Sequence, residues 1–154
     1  MGLLCWINIL LACFAVLAPM AHVLELPDKL ALDGPLWLAV QQHLYRGWGP
    51  FIGAPVELGA LATTATLLVL RRHRAARAPT AAALIAYAAM VLAFFLFNRP
   101  VNEALSGWTV ATLPADWPSY RLQWELGHAT SATLSLAALG CVLWARLLED
   151  AAPR

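Results

Sequence analysis

The side chains best able to do chemistry are concentrated in the last third of the chain. Arg121, Glu125 and His128 follow one another at intervals of four and three residues. That spacing places a guanidinium, a carboxylate and an imidazole on one face of an α-helix. An imidazole can act as a general base near neutral pH, and a neighbouring carboxylate can orient the ring. A structural interpretation is also open: Arg121 and Glu125 pair to lower each other's burial penalty, and His128 bonds a neighbouring helix.

Other polar residues fall at a similar predicted depth in the remaining apolar stretches of the chain. They lie at the end of the first stretch, early in the second and at the end of the third: His22, Glu25, Glu57, Asn98 and Asn102. Strongly polar side chains are rare inside a membrane and face a bundle interior or a cavity. The inner halves of these stretches offer almost no such groups. We therefore predict that these residues converge with the 121–128 face on one pocket in the outer half of a bundle.

The asparagines near the end of the third stretch allow two interpretations. Asn98 and Asn102 flank Pro100, which lacks an amide donor and tends to kink or end a helix. The two carboxamides either satisfy the backbone carbonyl groups that the proline frees or bind a ligand.

A metal ion held between the helices is an alternative to base chemistry. Residues 125–128 form an E-x-x-H pair, and residues 22–25 form the reversed pair on another helix. Carboxylate-bridged di-iron bundles use E-x-x-H pairs with further glutamates from facing helices. The candidate ligands for a metal such as iron or copper are His22, Glu25, Glu57, Glu125 and His128. Glu57 otherwise needs a protein partner, and His22, Arg121 and His128 are the candidates at its depth.

The composition places these residues in a membrane. Of the 154 residues, 61% are hydrophobic and 12% are charged, whereas a soluble domain carries roughly 25% charged residues. Four stretches have about the 20 apolar residues that one membrane span requires: 3–24, 51–70, 80–97 and 124–148. We predict one all-α domain over 1–154, an integral membrane four-helix bundle. No basic residue precedes the first stretch and no clear A-x-A site follows it, so we expect a retained helix.

The basic residues predict the orientation of the bundle. Four arginines fall within residues 71–77, in the short loop between the second and third stretches. The positive-inside rule makes this loop cytoplasmic and places both termini, with Arg146 and Arg154, on the same side. A net charge of +1 gives no indication of a nucleic-acid partner.

The two outer loops carry structural signals of their own. Asp33 can cap a helix, Pro35 is tolerated in its first turn, and Gly47 can end it. The apolar residues between them favour one helical face, so we predict an interfacial helix on the outer leaflet. In the second outer loop, Trp108 is an aromatic of the kind found at headgroup level, and Asp116 precedes the predicted start of the last helix.

Six segments carry a family resemblance that extends over nearly the whole chain. They are H-V-L-E-L-P at 22–27, L-D-G-P-x-W-L-A-V-Q-Q at 32–42, L-Y-R-G-W-G-P-F at 44–51, P-V-E-L-G-A-L at 55–61, F-N-R-P-V-N at 97–102 and W-P-x-Y-R-L-Q-W-E-L-G-H at 117–128. In these segments the chain resembles the bacterial branch of the anthrone oxygenase-like family of small four-helix membrane proteins. The resemblance implies a multi-pass protein of the bacterial inner membrane. Some fungal relatives are associated with the oxidation of anthrones to anthraquinones.

That activity, if shared, gives the polar residues specific roles. His128 is the expected base that forms a phenolic carbanion, and Glu125 orients its imidazole or holds its charge. Arg121 and Asn98 stabilise the oxyanion. The expected substrate-binding residues are Asn98, Asn102, Trp108, Trp124 and Glu57. Base catalysis of this kind requires no cofactor.

The expected partners are membrane lipid and a small apolar or aromatic molecule, and a homo-oligomer is compatible with the sequence. A different class of function also remains open. The chain is then a non-catalytic membrane protein whose pocket binds a lipid, a quinone or a metal.

Overall fold

The computed structural model describes residues 2–151, in which all regular structure is helical and no strand occurs. This confirms the predicted all-α class. Arg154 and the outermost residues of the predicted domain lie outside the described residues. Seven α-helices follow in chain order: α1 Gly2–Leu24, α2 Leu26–Ala31, α3 Gly34–Ala39, α4 Ala54–Leu70, α5 Arg74–Ala93, α6 Arg99–Ser106 and α7 Trp117–Asp150.

Four helical stretches of the described residues are long and apolar enough to cross a membrane, the second of them with a turn at residues 45–47. They are Gly2–Leu24, Gly34–Leu70, Arg74–Ser106 and Trp117–Asp150. Each contains one predicted span, and the last helix begins directly after Asp116, as predicted. The chain is therefore a multi-pass membrane protein. The cytoplasmic position of its termini stays a prediction.

The four long helices pack in a ring. α7 lies against α1 and α5, and α4 completes the ring by packing against the same two helices. Small side chains dominate the buried interface and allow the backbones to approach closely; they include Ala12, Ala15, Ala60, Ala83 and Ala138. We call the end formed by residues 25–53 and 98–120 the site end, and the end where α1 begins and α7 stops the opposite end.

Three π-helical segments interrupt the regular helices at the site end. They are Val40–Leu44, Gly49–Gly53 and Phe94–Asn98. Wide turns of this type often mark functional positions in helices. The site end is therefore the region in which the backbone departs from regular α-helical geometry.

The helix continues past Pro100 because a side chain from α7 replaces the missing backbone donor. The amide nitrogen of Gln123 donates to the carbonyl oxygens of Leu96 at 3.4 Å and Phe97 at 3.1 Å. The expectation that Asn98 or Asn102 satisfies these carbonyls is therefore wrong. Gln123 reaches them from the facing helix and leaves both asparagines available for other contacts.

The helix predicted in the first outer loop is present and starts where predicted. The Asp33 carboxylate accepts a hydrogen bond from the backbone amide of Leu36 at 2.9 Å, as an N-cap residue does. Gly47 has a φ of 88°, a conformation that glycine adopts without strain, and it turns the chain after the first π-helical segment. Trp37 in α3 is fully buried against Val101 of α6. The segment thus covers the site end of the bundle, and its location at a membrane interface stays a prediction.

The opposite half of the bundle is more polar than the sequence indicated. The Asn8 amide nitrogen donates to the hydroxyl groups of Thr63 and Thr64, each at 2.8 Å. Nearer the end, Arg71 pairs with Glu149, its Nε lying 2.9 Å from a carboxylate oxygen. The prediction that the inner halves hold almost no polar groups is therefore wrong. These groups are spaced widely along the chain and form partners only after folding.

Candidate functional site

A large cavity lies at the site end, lined by residues of α1, α4, α6 and α7 and of the segments between them. Its volume is about 910 Å³, which is in the range of cavities that hold a small organic molecule. All three π-helical segments contribute to its wall. Of the residues predicted for the site, seven line the cavity: His22, Glu57, Asn98, Asn102, Trp108, Trp124 and His128.

Two imidazoles and an indole lie together on the wall of the cavity. The ring centroids of His22 and His128 are 4.1 Å apart, and Trp124 lies 4.1 Å from His128 and 4.7 Å from His22. Tyr45 stacks on Trp124 at 5.8 Å and meets His22 edge-on at 4.6 Å. The two histidines come from α1 and α7, so the fold alone brings them together. The arrangement offers a flat aromatic ligand several ring faces and edges beside two nitrogen bases.

Lys29 is the main residue that the sequence prediction missed. Its ammonium group lies 2.9 Å and 3.0 Å from the two carboxylate oxygens of Glu125, and both side chains are buried, being 4% and 5% exposed. The His22 Nδ1 atom is 3.4 Å away. A buried charge needs a partner of opposite sign, and Lys29 supplies it from α2. Glu125 therefore forms an ion pair with Lys29 behind the cavity wall. It makes no hydrogen bond to His128.

Glu25 links this ion pair to the surface. Its carboxylate accepts a hydrogen bond from the Tyr45 hydroxyl and lies 3.8 Å from the Lys29 ammonium and 3.6 Å from His22 Nδ1. The spacing of Glu25 and Lys29, four residues apart on a helical stretch, is a signal in the sequence that could have identified this pair.

The proposed metal ligands do not form a common coordination sphere. The Lys29 ammonium lies among the side chains of His22, Glu25 and Glu125, where a metal cation would meet electrostatic repulsion. Across residues 2–151, no three His, Cys, Asp or Glu side chains are grouped in a way that could hold a metal ion. The donor set therefore does not fit the metal hypothesis.

Arg121 does not line the cavity, and its contacts join two helices. One guanidinium nitrogen donates to the backbone carbonyls of Lys29 and Leu32, at 3.1 Å and 3.0 Å. The guanidinium also lies 4.6 Å from the Trp117 ring centre, within the range of a cation–π interaction. These contacts tie α7 to the end of α2. They hold the guanidinium away from the cavity, so Arg121 is not placed to stabilise an oxyanion there. That differs from the role expected for Arg121 from the sequence.

The two asparagines hold Trp124 in place on the cavity wall. Asn98 donates to the backbone carbonyl of Trp124, and the indole nitrogen of Trp124 donates to Asn102, both at 2.9 Å. Asn98 approaches α7 closely because Gly127 has no side chain; a Cβ atom there would overlap the Asn98 carboxamide. The asparagines thus have a positioning role and still present polar surface to the cavity.

Glu57 reaches the cavity without a partner. Within residues 2–151 its carboxylate makes no hydrogen bond or ion pair with His22, Arg121 or His128, the partners expected from the sequence. Gln41 has similar chemistry: it is 8% exposed, lines the cavity, and its amide nitrogen has no partner in the described part of the chain. Polar groups left without partners in a buried position are costly. Gln41 is buried and Glu57 is half-buried, and both are available to a ligand.

Comparison with known proteins adds no relative: no family model, no curated protein and no solved structure matches the chain. The resemblance to the anthrone oxygenase-like family therefore stays a prediction from the six segments. The function has to be argued from the cavity.

Proposed function

We propose that the protein binds a flat, lipid-soluble phenol in the cavity and oxidises it with molecular oxygen, as the resemblance to anthrone oxygenase-like proteins implies. The observation that carries the proposal is the pair of imidazoles, His22 and His128, next to Trp124 on the wall of a cavity of about 910 Å³. Apolar pockets with a few convergent polar groups are the usual form of small-molecule sites.

The proposed reaction converts an anthrone-like methylene group into a carbonyl group. His128 takes a proton from the substrate, which leaves a carbanion delocalised over the aromatic rings and the phenolic oxygen. This carbanion then reacts with oxygen. The carbon loses two hydrogens and gains one oxygen atom, and the second oxygen atom leaves as water with those two hydrogens.

The remaining groups bind and orient the substrate. Trp124 and Tyr45 contact its ring system, and the carboxyl group of Glu57 accepts a hydrogen bond from a phenolic hydroxyl. The Lys29–Glu125 ion pair lies directly behind His22. The ammonium group of Lys29 lies 3.4 Å from His22 Nδ1 and holds this ring in place beside His128.

Oxygen uptake by the purified protein tests this proposal. With 1,8-dihydroxyanthrone as substrate, one oxygen molecule should be consumed for each anthraquinone formed. His128→Gln should lower the rate by about 10²–10⁴, the usual effect of losing a general base. His73→Gln is the matched control, because His73 is exposed in the loop before α5 at the opposite end. Equal rates in the wild type and His128→Gln would contradict the proposal.

A non-catalytic binding function is the second candidate. It is favoured by the contacts of Arg121 and Glu125, because both charged groups are occupied by protein partners and neither lines the cavity. In that case the wild type binds a flat phenol or quinone but consumes no oxygen. A binding measurement beside the oxygen measurement separates the two candidates.

A further inference from the structure

We infer that ligands enter the cavity sideways from the membrane, through an opening between the start of α4 and the junction of α5 with α6. We call this opening the portal. The inference rests on the proposed function, since it concerns the route of the same flat, lipid-soluble phenol. It is argued from the rim of the cavity, from the helices on either side of it and from the surface around it.

The rim of the cavity includes residues inside the predicted membrane spans. Residues that line the cavity and are also exposed mark its edge. Ala54 at the start of α4 and Phe94 after α5 both do so, and Phe94 is 37% exposed. These two residues lie within the predicted spans 51–70 and 80–97. The cavity is therefore open at a depth where the surroundings are apolar, in addition to the loop region around Arg46.

The other edge of α4 leaves much less space. Between α1 and α4, next to Ala18 and Val56, the structure leaves a crevice of only about 10 Å³. That is room for about one water molecule, whereas the cavity on the other side holds about 910 Å³. Because the larger space lies on the α5 side of α4, a ligand that enters from the membrane passes on that side.

Both sides of the portal are formed by π-helical segments. Gly49–Gly53 leads into α4, and Phe94–Asn98 joins α5 to α6. A π-helical turn is wider than an α-helical turn and has weaker packing, and such turns are frequent at functional sites. Their occurrence on both sides of one opening is a reason to regard it as a built feature of the fold.

The surface around the portal is apolar. Phe51, in the π-helical segment that leads into α4, is 82% exposed, and Phe94 on the rim is 37% exposed. In a membrane these side chains contact lipid tails, and a flat phenol dissolved in the bilayer meets this surface before it meets the polar loops. The portal thus joins the phase in which such a ligand accumulates to the imidazoles that would act on it.

The rate of ligand entry tests the portal in both directions. The protein is placed in liposomes, 1,8-dihydroxyanthraquinone is added, and quenching of tryptophan fluorescence is followed by stopped flow; Trp48 and Trp124 line the cavity. Ala54→Leu narrows the rim and should lower the association and dissociation rates together by about tenfold, as gating of a site does. Phe94→Ala widens the rim and should raise both rates.

Matched substitutions provide the controls. Ala62→Leu lies in the same helix and Phe95→Ala in the same π-helical segment; both positions are exposed and neither lines the cavity. Both controls should keep the wild-type rates. If Ala54→Leu fails to fold, the acceleration in Phe94→Ala decides alone. Binding at wild-type rates in both rim variants would overturn the portal and leave the proposed function standing, whereas absence of quenching in the wild type would overturn both.

Discussion

The two ends of the bundle both bury charged side chains, yet they differ in what surrounds them. At the opposite end, Arg71 bonds Thr80 and Glu149, and none of these residues lines the large cavity. At the site end, the Lys29–Glu125 pair lies directly behind the wall of that cavity. The charges at the opposite end only join helices. The charges at the site end lie behind imidazoles that line the cavity.

This difference shows that a polar group in a membrane span is a poor indicator of function by itself. Asn8 is buried and bonded to two threonines, so its polarity is accounted for by helix packing. Glu57 and Gln41 have no such partners in the described residues and line the cavity. The useful criterion is a polar group that lacks a protein partner and borders a space large enough for a ligand.

The largest effect on stability is expected from breaking the buried pair at the site end. Glu125→Ala leaves the Lys29 ammonium, which is 4% exposed, with the uncharged contact to His22 at 3.4 Å and the more distant Glu25 carboxylate at 3.8 Å. It should lower the free energy of unfolding by about 3–5 kcal/mol. Denaturant melting in detergent measures the loss. The double variant Lys29→Met/Glu125→Leu removes both charges and should recover most of it; no recovery would mean that packing, and not charge, explains the effect.

Breaking the pair at the opposite end should destabilise the protein somewhat less and leave ligand binding intact. Arg71→Ala removes the closest partner of Glu149, which keeps Arg146 at 4.0 Å, so we expect a loss of about 3 kcal/mol. The affinity for 1,8-dihydroxyanthraquinone should stay within about twofold of the wild type at a temperature where the variant is folded. A loss of affinity would show that the two ends are coupled and would weaken the comparison.

A smaller effect is expected where the π-helical segment Phe94–Asn98 meets α7 at the cavity. Gly127→Ala forces the Asn98 carboxamide away from α7, and overpacking of this kind costs about 1–3 kcal/mol. Ligand affinity should fall as well, because Asn98 holds the backbone of Trp124. Gly140→Ala is the control in the same helix, since a Cβ there meets no atom within 4 Å and should change neither stability nor affinity. Wild-type behaviour of Gly127→Ala would contradict the close contact.

The smallest effect is expected for the uncharged cluster in the opposite half. Asn8→Ala removes hydrogen bonds to Thr63 and Thr64, and such bonds between membrane helices contribute about 0.5–1.5 kcal/mol. Thermal melting should show this modest loss while oxygen uptake stays at the wild-type rate. Thr66→Ala is the control, because Thr66 is exposed and bonds only the carbonyl of Ala62 in its own helix. Loss of activity in Asn8→Ala would show that this cluster affects the site, contrary to the difference between the two ends.

Much of the fold could be predicted because it depends on local properties of the sequence. Four apolar stretches predicted four long helices, and Asp33 and Asp116 marked two helix starts correctly. Seven of the predicted residues line one cavity, since equal depth in neighbouring helices brings side chains together. This part of the prediction needed only hydropathy and helical periodicity.

The partners of individual side chains could not be predicted in the same way. Depth does not fix rotation about the helix axis, so Glu125 was paired with Arg121 although it bonds Lys29 from α2. Lys29 could not be identified as this partner, because nothing in the six residues of α2 shows that a short helix will fold back into the bundle. Gln123, which bonds the carbonyls freed by Pro100, was missed for the same reason.

The position of a bound ligand tests the central claim most directly, that the cavity is where this protein acts. 4-Hydroxybenzophenone, an aryl ketone phenol that inserts into nearby C–H bonds under light, can be cross-linked to the protein in liposomes and mapped by mass spectrometry. We predict labelling on the segments that contain Trp48, Ala54 and Trp124, and loss of this label when 1,8-dihydroxyanthraquinone is added. A competed label around Asn8 and Thr64, or a cavity label that the competitor does not reduce, would contradict the account.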